Sequence, residues 1–538
     1  MKTYKFFALI VLISLLLSSC APATSAVKET TVVSQHVPAQ EAPASVEVVR
    51  EEVVESEPLA AVPVAVATAL PQPTQALFEQ EPIATLVDNY FQTYGVNPYE
   101  DALEDHLSTF SLDVDTASYS VARRYVNDGS LPPAEAVRVE EFVNYFEQGY
   151  PTPPEVAFGI YADGAPSPFE HNGTHLLRIG VQGYEVAEWQ RKPAVLTFVI
   201  DVSGSMDREN RLGLVKQSLE LLVERLTAED TVSIVVYGSQ ARVILNPTPG
   251  NDHYQIMNAI NSLHPEDSTN VEAGLRMGYQ LAMQAYQPGS VNRVILCSDG
   301  VANVGNTGPD AILKEIRGYV SEGIYLTTVG FGMGNFNDVL MEQLANDGNG
   351  SYAYVDTLDE AEKLFVEDLT STLQVIARDA KVQVDFNPEV VARYRLIGYE
   401  NRAVADQDFR NDYVDAGEIS AGHSATAIYA MQFNPGAEGR IATVQLRWEN
   451  PDTYEVHEIN GNFNTWDLDG SFNTSEPRYQ LAVLAAYYAE ALRNSPWSAD
   501  VSFEQLYSLA APLMHTLGED AEVAEFVELI GRAARIAR

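Results

Sequence analysis

Five oxygen-bearing side chains stand out in the 538-residue sequence by type and spacing. Asp201, Ser203 and Ser205 alternate through Asp-Val-Ser-Gly-Ser-Met, directly after the apolar run Val195–Ile200. Thr269 sits in Ser-Thr-Asn just ahead of a helix-forming stretch, and Asp299 follows Arg-Val-Ile-Leu-Cys-Ser. Two carboxylates and three hydroxyls are a hard donor set, suited to Mg²⁺ or Mn²⁺ and poorly suited to zinc. Hydroxyls ligate without adding charge. A cation held by two carboxylates therefore stays electrophilic and keeps a position for water or an incoming carboxylate. Residues two apart project to one side of an extended or tightly turning segment, so Asp201, Ser203 and Ser205 converge if Gly204 permits the turn. No His-Glu-x-x-His motif or Cys/His cluster competes for the role.

The elements that must position these residues are legible around them. From 193 to about 375, near-continuous apolar strands such as Ala194–Ile200 alternate with amphipathic helices such as 211–226 and 271–286. That alternation predicts an α/β fold: a Rossmann-like, doubly wound, mostly parallel sheet with helices on both faces. Residues 241–245 read as an antiparallel neighbour of the strand at 230–238. In such sheets ligands bind at the carboxyl ends of strands near a topological switch, where Asp201 and Asp299 fall. An α+β region at 85–190 precedes it, with helices expected over 119–128 and 134–146 and strands over 156–161 and 174–181. A β-then-helical domain over 377–538 follows, and the last helix of the central region is expected to run on to Ala377.

The Asp-x-Ser-x-Ser pentapeptide, with Thr269 and Asp299 in order behind it, resembles the metal-ion-dependent adhesion site of von Willebrand factor type A domains. Ser-Thr-Asn-Val-Glu-Ala-Gly-Leu and Val-Gly-Phe-Gly extend the resemblance across 193–376. Ser-Thr-Phe-Ser-Leu-Asp-Val-Asp-Thr-Ala-Ser at 108–118, with Leu-Pro-Pro-Ala-Glu-Ala-Val-Arg-Val-Glu-Glu-Phe at 131–142, is similar to the segment preceding that domain in bacterial surface lipoproteins of the YfbK-like type, and the β-then-helical tail resembles their C-terminal domain. The resemblance implies that Ser203 and Ser205 bind metal directly, while Asp201, Thr269 and Asp299 bind directly or through water. It implies Mg²⁺, with Mn²⁺ or Ca²⁺ as alternatives, and a protein partner that supplies an Asp or Glu as the last ligand.

The N-terminus and the charge balance set the context. Lys2 and Lys5 precede an apolar run from Phe6 to Leu17 and then small residues, the order of a secretory leader over 1–20. Leu-Ser-Ser-Cys resembles a bacterial lipobox, which makes Cys20 the expected lipidation site and membrane anchor. Residues 21–80 are rich in Ala, Pro, Val, Thr and Glu and lack a sustained period, so a disordered tether is expected. The location expected is the cell envelope, at the outer membrane or the outer face of the cytoplasmic membrane according to cell type. Against 75 acidic residues stand 33 Lys and Arg, a net charge of −42, which argues against nucleic acid as a partner.

Other signals carry less. Asp113 and Asp115 fail the aspartyl-phosphate motif by position, and Gly-Phe-Gly-Met-Gly-Asn fails a dinucleotide loop at Asn335. His253 and His264 read as surface positions, and Cys297 as a buried apolar thiol. The expected function is non-enzymatic capture of a protein carboxylate in adhesion or envelope assembly. Two alternatives stand beside it: metal-assisted hydrolysis at the same cation, and a scaffold whose type A domain is purely structural.

Overall fold

The computed structural model describes residues 89–538, apart from 113–114, 155, 171, 267, 301–308, 335 and 368–373. The expected leader, Cys20, the tether and Asp113 lie outside the described residues. The N-terminal flank contributes β1 (Glu100–Asp101), β2 (Leu107–Ser111), β3 (Phe158–Pro166) and β4 (His175–Gly183), with α1 (Ala117–Asn127) and α2 (Val139–Asn144) between β2 and β3. The central strands are β5 (Ala194–Asp201), β6 (Thr231–Tyr237), β7 (Arg242–Pro249), β8 (Val291–Ser298), β9 (Tyr325–Phe331) and β10 (Tyr352–Val355). Its helices are α3 (Arg211–Val223), α4 (His253–Asn261), α5 (Val271–Ala285), α6 (Pro309–Ser321), α7 (Asp338–Asp347) and α8 (Leu358–Glu362). The C-terminal flank adds β11 (Val375–Phe386), β12 (Val391–Ile397), β13 (Gly417–Ser420), β14 (Ser424–Phe433), β15 (Arg440–Glu449) and β16 (Val456–Asn464). It ends in α9 (Pro477–Leu492), α10 (Phe503–Ala510), α11 (Leu513–Thr516) and α12 (Ala521–Ile536).

Every residue of β5 is buried, as befits a strand covered on both faces. Leu196, Phe198 and Ile200 pack with Val215, Leu219 and Leu222 of α3 on one side, while Val199 packs with Leu275 and Tyr279 of α5 on the other. Gly278 lets α5 lie close, because a Cβ there would stand 2.3 Å from Val199 Cγ2. The strand order is β10-β9-β8-β5-β6-β7, parallel except for β7, which runs antiparallel to β6. This is the doubly wound α/β sheet the alternation predicts. The chain leaves β5 toward β6 on one side and β8 returns on the other, so the loops after β5 and β8 diverge at a switch point.

The two flanks share their sheets. β4 pairs antiparallel with β14 from Gln182↔Ser424 to His175↔Met431, β2 pairs with β11, and β1 with β12. Among the described residues the resulting sandwich has one sheet ordered β1-β12-β14-β4-β3 and another ordered β13-β11-β15-β16, with β2 added on β11. The central α/β region is an insertion between β4 and β11. Alternation in β14 fills two cores: Ala425, Ala427, Tyr429 and Met431 enter the sandwich interior, while Ile428 and Ala430 join the core that α2 shares with the C-terminal helices.

Two expected elements differ, and one strand was not expected. The helix foreseen over 134–146 is a 3₁₀ turn at Ala134–Ala136 followed by α2. Val137 and Arg138 between them are extended, with Arg138 Nη1 donating to Asp338 Oδ2 at 2.6 Å. The helix expected to reach Ala377 gives way to β11 at Val375, where pairing with β13 begins. The edge strand β16, mostly exposed, was not foreseen. Among the described residues, no helix is long and apolar enough to cross a membrane.

Candidate metal centre

Asp201 closes β5 and is fully buried. Its Oδ1 accepts from Ser203 N at 2.8 Å and its Oδ2 from Ser298 Oγ at 3.0 Å. The chain then turns through a 3₁₀ segment, Gly204–Asn210, which Ser203 enters in an extended conformation. Ser203 Oγ and Ser205 Oγ come to 3.0 Å of each other. The turn, and not alternate projection from an extended segment, produces this convergence. Nor does Gly204 use a glycine-only conformation: it is absent from the positive-φ glycines, and a Cβ there would find Glu266 O at an ordinary 3.5 Å.

Asp299 follows β8, which lies against β5, and is 1% exposed. Its Oδ2 accepts from Arg211 Nη1 at 2.9 Å. Thr269, partly buried, immediately precedes Asn270, whose side chain caps α5 by accepting from Ala273 N at 3.0 Å. Its loop reaches the first one through Glu266 N, which donates to Val202 O at 2.5 Å. Ser268 takes the left-handed φ of 64° in this loop, a conformation that costs a non-glycine residue. The three loops thus meet at the carboxyl edge of the sheet. Asp201 and Asp299 are close enough for one carboxylate to raise the other, and Ser203 and Ser205 share a hydrogen bond. Thr269 is placed on the adjoining loop.

The electrostatics suit a hard cation. Burial first, and Asp299 second, push the Asp201 carboxyl up to about 6, against the lowering hydrogen bonds from Ser203 and Ser298. Tyr237, beside Asp201 in register on β6, keeps its buried hydroxyl close to Asp201 and Ser298. Burial and the Asp201 charge push that phenol well above its ordinary value. Two buried carboxylates with one guanidinium leave a net negative charge beside two convergent hydroxyls, a donor set that fits a divalent oxygen-seeking ion. Among the described residues no cluster of three or more His, Cys, Asp or Glu forms a competing metal site.

Three residues here escaped sequence reasoning. Ser298 donates to Asp201 and accepts from Gly300 N at 3.1 Å; its adjacency to Asp299 was the available signal. Arg211 could have been noticed as a charge on the same helical face as Val215, Ser218 and Leu222, all buried with it. Tyr237 reads as one more apolar strand residue. Of the weaker signals, Asp115 ties Tyr352 N at 2.7 Å to Arg402 Nη2 at 3.1 Å, His253 and His264 are exposed, and burial pushes the Cys297 thiol pKa up.

Comparison with known proteins agrees with this architecture. The von Willebrand factor type A domain family matches residues 196–371, a von Willebrand factor family matches 85–178, and the family described as the C-terminal part of uncharacterized protein YfbK matches 371–536. Uncharacterized protein YfbK from Escherichia coli is 35% identical over 470 residues, covering 82% of this chain and 80% of that protein. Inter-alpha-trypsin inhibitor heavy chain H3 from Homo sapiens is 28% identical over 282 residues, covering 49% of this chain and 29% of its own. A solved von Willebrand factor type A protein from Catenulispora acidiphila aligns with a TM-score of 0.42 and 14% identity, covering 69% of this chain and 89% of that one. Type A domains are in general non-enzymatic modules for protein interaction or adhesion, and often bind a divalent metal. With both flanks and the centre matched, and the Escherichia coli relative aligned along most of either chain, this chain belongs to the YfbK family of von Willebrand factor type A proteins.

Proposed function

We propose that this protein is anchored at the cell envelope by lipid on Cys20 and captures an acidic side chain of a protein partner at a Mg²⁺ site. Ser203 and Ser205 would hold the ion directly, and Asp201, Thr269 and Asp299 directly or through water. When bound, the cation supplies an electrophilic position for a carboxylate oxygen of the partner. The protein's own residues hold that position in place: Ser203 N and Ser298 Oγ fix both oxygens of Asp201, and Arg211 fixes Asp299. The observation that carries the reading is the meeting of these two buried carboxylates and the Ser203–Ser205 hydroxyl pair at the switch point of the sheet. At a net charge of −42, most of the surface repels an acidic partner, which makes a bound cation the point of attraction.

Titration of the mature chain with Mg²⁺ and Mn²⁺, paired with capture from envelope extracts in Mg²⁺ or EDTA, tests this. Divalent uptake and Mg²⁺-dependent capture are expected, and Asp201→Ala should abolish both while circular dichroism stays unchanged. Capture that persists in EDTA or in the variant would overturn the mechanism. The scaffold alternative draws on the buried ion clusters that join the α/β region to its flanks, and it predicts capture indifferent to both treatments.

A further inference from the structure

The geometry assigns Arg211 as a positioning residue: it couples Asp299 to the loop after β9, and the docking of Asn89 and Tyr90 on that loop thereby sets the affinity of the site for a divalent cation. This rests on the metal-site reading above and adds a route by which that site is controlled.

The route runs through short contacts. Arg211 and Asp299 form a pair whose side chains are 6% and 0% exposed. The same guanidinium donates through Nη2 to Met333 O. The loop closes on it without slack: Gly332 adopts a φ of +82°, and a Cβ there would stand 2.1 Å from Arg211 Nε. On its other side the loop is held by the first described residues of the chain. Asn89 Oδ1 accepts from Gly334 N at 2.9 Å and from Phe336 N at 3.0 Å. Tyr90 N donates to Phe336 O at 2.8 Å, and Tyr90 bridges Asn337 in the parallel sense. Asn89 Nδ2 donates to Tyr125 Oη of α1 at 2.8 Å, which fixes the anchor itself.

Phe336 also leads back to the metal loop. Gly300, next to Asp299, has a φ of +77°, and a Cβ there would lie 2.7 Å from the Phe336 ring and 2.6 Å from Asn337 N. The loop therefore bears on Asp299 twice, through Arg211 and through Gly300. Close-packed contacts of this kind do not deform gradually, so a shift at Phe336 must move Gly300 or open a void. Releasing Asn89 removes the acceptor of two backbone N–H groups of the loop, Gly334 and Phe336, and loosens Arg211, whose hold on Asp299 keeps the carboxylate aimed.

The test uses the mature full chain with Mn²⁺ as probe, read by calorimetry and by amide hydrogen exchange. By linkage the coupling is reciprocal. Mn²⁺ should slow exchange at Gly334 and Phe336 in the unaltered protein. Asn89→Ala should speed exchange there and weaken Mn²⁺ binding by about three- to tenfold, the range one hydrogen bond spans. Arg211→Lys keeps the charge but loses the fork that reaches both Asp299 and Met333, and should weaken Mn²⁺ binding as well. Unchanged Mn²⁺ affinity in Asn89→Ala despite faster exchange would overturn the coupling. So would Mn²⁺ leaving both amides unaffected in the unaltered protein, a result that needs no variant to fold. If the unaltered protein takes up no divalent ion, the site reading itself fails and the coupling falls with it.

Discussion

Replacing Asp201 by Asn should make the metal-free protein more stable at neutral pH while removing its response to Mg²⁺. Burial and Asp299 hold the Asp201 carboxyl at about 6, against about 3.9 in an unfolded chain. A raised carboxyl contributes stability that is fully present below about pH 4 and is lost as pH rises through about 6. At pH 7.5 without metal, ionised Asp201 therefore costs the fold about 3 kcal/mol. Asn stays neutral and still accepts from Ser203 N or Ser298 Oγ, though giving up the other bond costs about 1 kcal/mol. The net expectation in EDTA at pH 7.5 is a gain of about 2 kcal/mol for the variant, shrinking to about 0.5 kcal/mol at pH 5 and reversing by about pH 4. Urea unfolding followed by fluorescence measures this directly. Mg²⁺ at about a hundred times its dissociation constant should then stabilise the unaltered protein by about 2.7 kcal/mol and leave the variant unchanged. A variant that is less stable than its parent in EDTA at pH 7.5, with Mg²⁺ stabilising both alike, would refute the reasoning.

Arg138→Met should cost about 3–5 kcal/mol in urea unfolding at pH 7.5, because it strips the cation from buried Glu141 and Asp338. The loss should be smaller at pH 5, since burial already pushes Glu141 up to about 7 and it then protonates. Residues 89–190 expressed alone should show no cooperative unfolding by circular dichroism, and co-expression with 374–538 should restore it, because β4 finds its partner in β14. Cys20→Ser should move the protein from the membrane fraction to the soluble fraction of lysed cells, as read by immunoblot.

The central fold was legible because its signals are local. Ala194–Asp201 is apolar but for Thr197 up to its terminal acid, buried throughout, and followed at once by the donor residues. The pairing of β4 with β14 left no such trace, since neighbours in that sheet lie on opposite sides of the inserted α/β region. Residues Val137 and Arg138 sit in a stretch with helical periodicity, yet the buried pair with Asp338 draws them out of the helix, an instance of tertiary contact overriding propensity. The edge strand β16 is mostly exposed and lacks the apolar alternation that betrays a half-buried strand. At the site, donor spacing named Asp201, Ser203 and Ser205, while Ser298 acts on Asp201 and Arg211 on Asp299 from positions whose sequence context is that of an ordinary strand end and helix start.

How the α/β region is attached limits how the site can be regulated. Its entry and exit lie together at the amino edge of β5, where Lys192 N donates to Gln374 Oε1 at 3.3 Å. Two linkers meeting at one end would by themselves allow the region to swing. The opposite, carboxyl edge is pinned, however. Asp338 opens α7 and pairs with Arg138, while Asp356 and Glu360 follow β10 and pair with Arg123 of α1. Arg123 and Arg138 are 2% and 4% exposed. A swing would part both clusters, and separating a buried ion pair costs several kcal/mol each time. Rigid-body rotation is therefore the expensive way to alter the metal centre. The β9–α7 loop, held by Asn89, Tyr90 and Arg211, can yield without breaking either cluster, so the proposed control of cation affinity would run through that loop and not through a hinge.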